Sequence, residues 1–294
     1  MDAIILSAGE GTRLRPLTLH TPKALIPVKC KPLIEHILKN LQECGIYCAA
    51  INTFYRSRDI VNYFESREKV VIEPHIVLES NILGTGGGIS NTATYLDGDN
   101  PILVHNGDIY CEFDFRLAII EHRKSDAMIT LLVRDGNREV EVIDNQVVNI
   151  ANRLSINGDS SYKFTGISIW EREALRFLPK PGDSGNMIDG LVDILNVMPG
   201  SVRVFHIGEA LWCDIGTISS YIELHAKLLK DNIFPPDLAL PSGVTTTGFL
   251  CCCEGTRIES GTSLHNVIIW QDSIVSAGSQ LKNAVVGPFG IVRL

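Results

Sequence analysis

The sequence predicts an α/β protein, a mostly parallel sheet flanked by helices, that ends in a short β-helical tail. Three observations carry this reading. Short apolar runs alternate with helical patterns over the first two thirds of the chain, the signature of strand, helix, strand units in series. From Ala127 the strands follow one another with only short turns between them, which reads as an antiparallel extension. After about residue 240 charge thins out and aliphatic residues recur six apart, the spacing of a parallel β-helix.

Residues 3–7 (AIILS) form the first buried strand, and a Gly-rich loop follows. Pro32 then opens a helix with Leu33, Ile34, Ile37, Leu38 and Leu41 on one face, and Gly45 ends it, as helix C-termini prefer. Residues 46–51 are the second strand, 60–64 part of a helix, 76–78 the third strand and 102–105 (ILVH) the fourth. Such a sheet places ligands at the carboxyl ends of its strands, where loops meet helix N-termini. Further strands are expected at 128–133, 139–143, 146–150 and 163–170, with hairpin turns at 134–138 and 144–145. Helical patterns return at 187–197 and 219–229. Pro235 and Pro236 stop the pattern, so the expected domains are residues 1–235 and 236–294. In the tail, Ile258 and Leu264, then Val275 and Leu281, stand six apart, with Gly255, Gly261 and Gly278 at the turns. Roughly three coils of about 18 residues fill its length. So short a stack has an exposed edge, which calls for a cap or a second subunit.

The chain of 294 residues carries 26 Lys and Arg against 34 Asp and Glu, a net charge of -8. An acidic surface repels phosphodiester backbones, so a general nucleic-acid binder is excluded. Charge is nonetheless uneven. Residues 1–31 hold five bases (Arg13, Arg15, Lys23, Lys29, Lys31) and two acids (Asp2, Glu10), a surplus of +3 that leaves -11 for the remainder. Any polyanionic ligand must be met locally, by that basic island. No basic-then-apolar leader precedes the first strand, and no apolar run reaches 18 residues, so the expectation is a cytosolic protein without membrane contact. The eight cysteines should then be reduced and act as small buried hydrophobes. Consecutive Cys251, Cys252 and Cys253 cannot all face one tetrahedral zinc, because neighbouring strand side chains alternate faces.

The loop after the first strand reads Ser7-Ala8-Gly9-Glu10-Gly11-Thr12-Arg13-Leu14. Gly9 and Gly11 let backbone amides turn towards a phosphate, and Arg13 supplies a planar fork for its oxygens. Leu14 stands where a dinucleotide fingerprint needs its third glycine, and no acid follows the second strand to take a ribose, which removes a dehydrogenase using NAD. The chain has no Gly-Lys pair, which removes a P-loop. Lys23, fixed in approach by Pro22, can return to the same phosphates. After the third strand, Glu79 leads into Gly84-Thr85-Gly86-Gly87-Gly88, glycines that would let a ring or phosphate lie on bare backbone at a helix start. Asp108 closes ILVHNGD and Asp214 lies in WCDIGT. Two carboxylates at strand ends suit a hard cation that bridges substrate phosphates, and Mg²⁺ is the expected ion.

The loop AGEGTRLRPLT with its downstream Pro22 and Lys23, then LGTGGG, NGD, FTGISIW (164–170) and WCDIGT, stand in one order. In that order and spacing the chain resembles the sugar-1-phosphate nucleotidyltransferases, or NDP-sugar pyrophosphorylases, over nearly its whole length. It is most similar to the N-acetylmuramate-1-phosphate uridylyltransferases and to the mannose and heptose 1-phosphate guanylyltransferases, with a tail like that of the mannose type. The resemblance implies a Rossmann-like mixed sheet, the nucleotide-diphospho-sugar transferase fold, and a left-handed parallel β-helix. It implies that Leu6, Ala8, Gly9, Gly11 and Thr12 contact the nucleotide, that Arg13 neutralises the departing pyrophosphate and that Lys23 contacts phosphate in the transition state. Asp108 and Asp214 would bind Mg²⁺, and Glu79, Gly84 and Thr85 would lie beside the base. Lys163, Thr165 and Gly166 would face the sugar phosphate. Where relatives often carry Glu-Lys-Pro before the sugar-facing strand, this chain has Asn152, Arg153 and Leu154, so Arg153 and Lys163 are rival clamps. The implied partners are an NTP and a sugar 1-phosphate, with base and sugar left open. A non-catalytic regulatory subunit of the same fold is the alternative, motivated by the tail. Such a subunit would be expected to lose a metal acid or Lys23, and this chain keeps them.

Overall fold

The computed structural model describes residues 1–67, 72–229, 231–236 and 238–294. The first strands form as they do because runs such as Ala3, Ile4 and Ile5, wholly buried, suit a strand covered on both faces. The strands β1 (Asp2–Leu6), β2 (Ala49–Thr53), β3 (His75–Leu78) and β4 (Ile102–Asn106) are mutually parallel, in the order β3-β2-β1-β4. The helices between them are α1 (Leu33–Glu43), α2 (Ser57–Ser66) and α3 (Gly84–Ala93), followed by α4 (Phe115–Lys124).

The sheet continues through β5 (Ile129–Arg134), β6 (Val140–Ile143), β7 (Gln146–Ile150), β8 (Ser160–Trp170) and β9 (Val202–His206), with α5 (Met187–Val197) before the last. Its order is β4-β8-β5-β9-β7-β6 beyond the parallel part. The expected hairpin at 144–145 forms: Gln146 pairs with Ile143, and Asp144 and Asn145 take the left-handed conformation (φ 49° and 63°) that a two-residue turn needs. The expected hairpin at 134–138 does not. β5 pairs antiparallel with β8 and parallel with β9, while β6 pairs with β7 and β8. Five intervening residues looked like a turn, but the partners of β5 come from far along the chain. β9, which the apolar pattern of VRVFH left unread, is one of them.

Alternation along the strands gives each face its own cover. Ile4, Ala50, Val104, Ile129 and Leu131 share one core with Ile89 of α3 and with Leu191 and Ile194 of α5. On the opposite face Thr130 bonds His122 of α4 (2.8 Å), and His105 meets the edge of Phe115. Each fully buried aliphatic side chain contributes roughly 1.5–3 kcal/mol to such a core.

Two compact units result, Met1–Gly9 with Ile37–Trp212, and Glu10–His36 with Cys213–Leu294. Compactness does not follow chain order, and the expected break at residues 235 and 236 falls inside the second unit. That unit contains α6 (Ile218–Leu228) and the strands β10 (Thr245–Cys252), β11 (Ser263–Ile269) and β12 (Gln280–Gly287), all parallel. Thr245 lies over Ser263, and Ser263 over Gln280, so the repeat is close to the expected length. The hexad residues Ile258, Leu264, Val275 and Leu281 share a single core with Val267 and Ala284. Gly255, Gly261 and Gly278 turn the corners at φ 71°, 70° and 73°. β13 (Gly290–Arg293) runs antiparallel to β12 and caps that edge of the stack.

The cysteines depart from expectation in two respects. Cys48 is exposed, and Cys30 and Cys253 form a disulfide, so these two are not reduced. The expectation failed because residue 30 and residue 253 are distant in sequence and only the fold reveals their meeting. Cys111, Cys251 and Cys252 are buried as expected, and burial pushes each thiol up to about 12.

Candidate active site

In the first unit, polar groups gather at the carboxyl ends of β1, β2, β3 and β4. Asn52, near the end of β2, accepts a hydrogen bond from the Ser7 amide (2.7 Å) and donates to Glu79 Oε1 (2.6 Å). Glu79 Oε2 accepts from the Leu83 amide (3.2 Å), so this buried carboxylate ties β3 to the start of α3. Burying a carboxylate is costly unless it is hydrogen-bonded, and these donors meet that cost. Asn52 was missed in the sequence; its one signal was a polar residue ending the apolar run of β2.

The glycines of LGTGGG pack closely against a loop from far along the chain. A Cβ on Gly84 would stand 2.7 Å from Gly185 O, one on Gly86 2.9 Å from the Asn186 carbonyl carbon, and one on Gly87 would clash with Asp183 O. The Gly86 amide donates to Gly185 O (2.9 Å), and Thr85 Oγ1 bonds Asn186 Oδ1 (3.2 Å) and accepts from the Met187 amide (3.0 Å). These glycines seat the 183–186 loop, backbone on backbone. Gly88 alone faces the polar pair, 2.8 Å from Asn52 Nδ2 were it to carry a Cβ.

Beside this cluster, Gly107 donates to Leu6 O (2.8 Å), and Asp108, half-buried, sits on the turn between β4 and the short strand Ile109–Glu112. The antiparallel partner β8 is bulged between Phe164 and Ser168, where Gly166 (φ 79°) would press a Cβ to 2.7 Å from Asn106 Nδ2. Bulges re-aim side chains at such edges. Thr165 Oγ1 donates to Leu132 O (2.7 Å), and Thr165 O accepts from Trp212 Nε1 (2.9 Å). Lys163 Nζ lies 4.9 Å from the centre of the Trp212 ring. Lys163, Thr165 and Gly166 are thus brought together. Arg153 is not among them: it pairs with Asp189 at 3.0 Å on an exposed face.

In the second unit, Gly11 (φ 62°) turns the loop, and Thr18 Oγ1 closes it by donating to Gly11 O (2.9 Å). A Cβ on Gly11 would come within 2.8 Å of Thr18 Cγ2, whereas Gly9, in the first unit, has open space around it. Buried Leu14 and Leu17 anchor the loop and leave Thr12 and Arg13 exposed. Arg13 Nη2 and Lys23 Nζ each stand 3.8 Å from a carboxylate oxygen of Asp214. Gly216 makes room for the guanidinium, since a Cβ there would lie 2.8 Å from Arg13 Nη2. Asp214 Oδ1 is shut off from solvent and has no hydrogen-bond partner among the described residues. The carboxylate thus has two cations at ion-pair distance, and a carboxylate oxygen of this kind is one that a hard cation can take. Thr217, three residues beyond Asp214 at the end of the short strand Leu211–Asp214, caps α6 in a reciprocal capping box with Ser220.

An open α/β sheet with its polar groups at the strand ends is a ligand-binding architecture. Residues 2–231 match the family model described as Nucleotidyl transferase, and the chain belongs to that family. A mannose-1-phosphate guanylyltransferase of Mycobacterium tuberculosis is 26% identical, over 96% of this chain and 83% of the relative. A UTP–glucose-1-phosphate uridylyltransferase of Synechocystis is 27% identical, over 97% and 82%. The structure of a putative glucose-1-phosphate thymidylyltransferase from Bacillus anthracis has the same fold, with TM-score 0.68 and 22% identity over 80% of this chain and 98% of that one.

Proposed function

We propose that this protein is an active sugar-1-phosphate nucleotidyltransferase that condenses an NTP with a sugar 1-phosphate to give an NDP-sugar and pyrophosphate. The observation that carries the reading is Asp214, whose buried Oδ1 lacks a hydrogen-bond donor while Arg13 and Lys23 both stand by. The names of the relatives point to guanylyl or uridylyl transfer. In this reading Gly9, Gly11 and Thr12 offer backbone amides to the triphosphate, with Leu6 and Ala8 lining the nucleotide's approach. Arg13 and Lys23 neutralise charge as the sugar phosphate oxygen attacks the α-phosphorus in line and pyrophosphate departs. Glu79, Gly84 and Thr85 serve the base. Lys163, Thr165 and Gly166 serve the sugar phosphate, a role their grouping favours over Arg153. No covalent protein nucleophile is needed, because positioning and charge neutralisation supply the rate.

The family is generally Mg²⁺-dependent, and the residues present suit that ion. Asp214 offers an unsatisfied oxygen, and Asp108 stands on a strand-end turn, so both would hold Mg²⁺. Bound there, it would screen the charge of the α-phosphate. Residues 1–235 form the catalytic region in this reading, and 236–294 a left-handed parallel β-helix through which copies of the chain could assemble. The reading places the protein in the cytoplasm; among the described residues no helix is long and apolar enough to cross a membrane.

Mixing the protein with Mg²⁺, each NTP in turn and a panel of sugar 1-phosphates should release pyrophosphate with one preferred pair, which identifies base and sugar. Asp108→Asn and Asp214→Asn should each lower turnover at least roughly 100-fold while the far-ultraviolet spectrum is unchanged. Silence across the whole panel would refute the proposal.

A further inference from the structure

A cluster of three sulfur atoms in the second unit has no part in nucleotide transfer. It involves a tight hairpin, Pro27–Val28 paired with Lys31–Pro32, whose two turn residues are Lys29 and Cys30. Both are left-handed, at φ 50° and 63°, a conformation that disfavours any residue with a Cβ and that two-residue turns usually give to Asn or Gly. The turn is held in place by the Lys29 amide, which donates to His225 Nε2 (3.3 Å). Its effect is to bring Cys30 to the C-terminal coils. Cys30 Sγ is bonded to Cys253 and lies 3.6 Å from Cys251 Sγ.

The tail supplies its two sulfurs by strand geometry. Cys251 and Cys253 are two positions apart and point the same way, while Cys252 between them turns into the aliphatic core of the coils. The three consecutive cysteines therefore split two and one, and a third ligand from elsewhere completes what they could not build alone. The sulfurs of Cys30, Cys251 and Cys253 all lie within 4.8 Å of one another. Thiolates around one zinc ion, with Zn–S near 2.3 Å, sit about 3.8 Å apart. A disulfide accounts for two of these sulfurs and gives the third no role.

We propose that Cys30, Cys251 and Cys253 form a thiolate site for Zn²⁺, which clamps the segment carrying Arg13 and Lys23 to the C-terminal coils. A dithiol reductant opens the Cys30–Cys253 bond to two thiols and is itself oxidised to its cyclic disulfide. Zn²⁺ then displaces one proton from each of the three thiols and forms three Zn–S bonds, with water completing the tetrahedron.

The test uses the full chain, reduced and then freed of reductant without oxygen, and titrated with Zn²⁺ against a chromophoric chelator. One Zn²⁺ should bind per chain and shield three thiols from alkylation, identified by mass spectrometry as Cys30, Cys251 and Cys253. Cys30→Ser, at the half-buried member of the cluster, should weaken binding by on the order of 100-fold, one thiolate's share of such a site. Cys48→Ser, at an exposed cysteine elsewhere, should bind as the parent does. Co²⁺ in place of Zn²⁺ should give thiolate-to-cobalt absorption that Cys30→Ser lacks. If the reduced parent binds no stoichiometric Zn²⁺, or if Cys30→Ser binds it equally well, the proposal is overturned and the cluster is a disulfide with a packed neighbour.

Discussion

At the scale of the residue, Lys163 and Arg153 separate once their neighbours are known. Lys163 rests over Trp212, whose indole is fixed by Thr165 O, and shares its strand edge with Gly166. Arg153 already has Asp189 as its counter-ion. A charge-assisted hydrogen bond to a phosphate is worth roughly 1.5–3 kcal/mol, so Lys163→Ala should lose about 10- to 100-fold in kcat/KM for the sugar phosphate, mostly through KM. Arg153→Ala should stay within about twofold, as expected for one partner of an exposed ion pair. Steady-state kinetics with the preferred pair decides between them; the reverse pattern would give the clamp to Arg153. The sequence held both as candidates because charge and strand position were legible in it, while the stacking on Trp212, 49 residues further along the chain from Lys163, was not.

At the scale of the element, glycine-rich loops that look alike serve different ends. Gly9 follows β1 with open space where a Cβ would stand, and Gly87 on α3 is closed by Asp183 O. Gly87→Ala should therefore destabilise the fold by roughly 1–3 kcal/mol through overpacking, seen as a lower Tm. Gly9→Ala should leave stability within about 0.5 kcal/mol and raise KM for the NTP. A stable Gly87→Ala would mean that the 183–186 loop yields readily. Spacing alone revealed where these loops lie but not what fills them, since that depends on segments about 100 residues apart. The same limit explains the strands. β1, β2 and β4 were legible because each contains a buried apolar run, β3 because IVL is a short apolar run in series with them, and the 144–145 hairpin because its turn residues accept positive φ. The supposed hairpin after β5 failed because β5 takes β8 and β9 as partners, a long-range choice that local pattern does not encode.

At the scale of the whole molecule, buried histidines make stability depend on pH: among the described residues His105 and His122 of the first unit and His225 of the second are all lowered by burial. Burial lowers His105 to about 4 and His225 to about 4, from an ordinary 6.5. For His225 the hydrogen bonds agree: Nε2 accepts from the Lys29 amide, so Nδ1 carries the proton and donates to Tyr221 O (3.0 Å). Protonating Nε2 would set it against a donor. Between about pH 4 and 6.5 the unfolded histidines bind protons that the folded ones refuse, so stability rises with pH across that window. The contribution is complete above about pH 6.5 and is lost as pH falls towards 4, at most on the order of 3 kcal/mol for each histidine. Denaturant unfolding followed at stepped pH should show this loss, with protons taken up as the histidines become exposed. Replacing His225 by Gln should flatten the slope of the second unit's transition and leave that of the first unchanged. Equal stability at both ends of the window would show that these histidines stay accessible to protons in the folded protein.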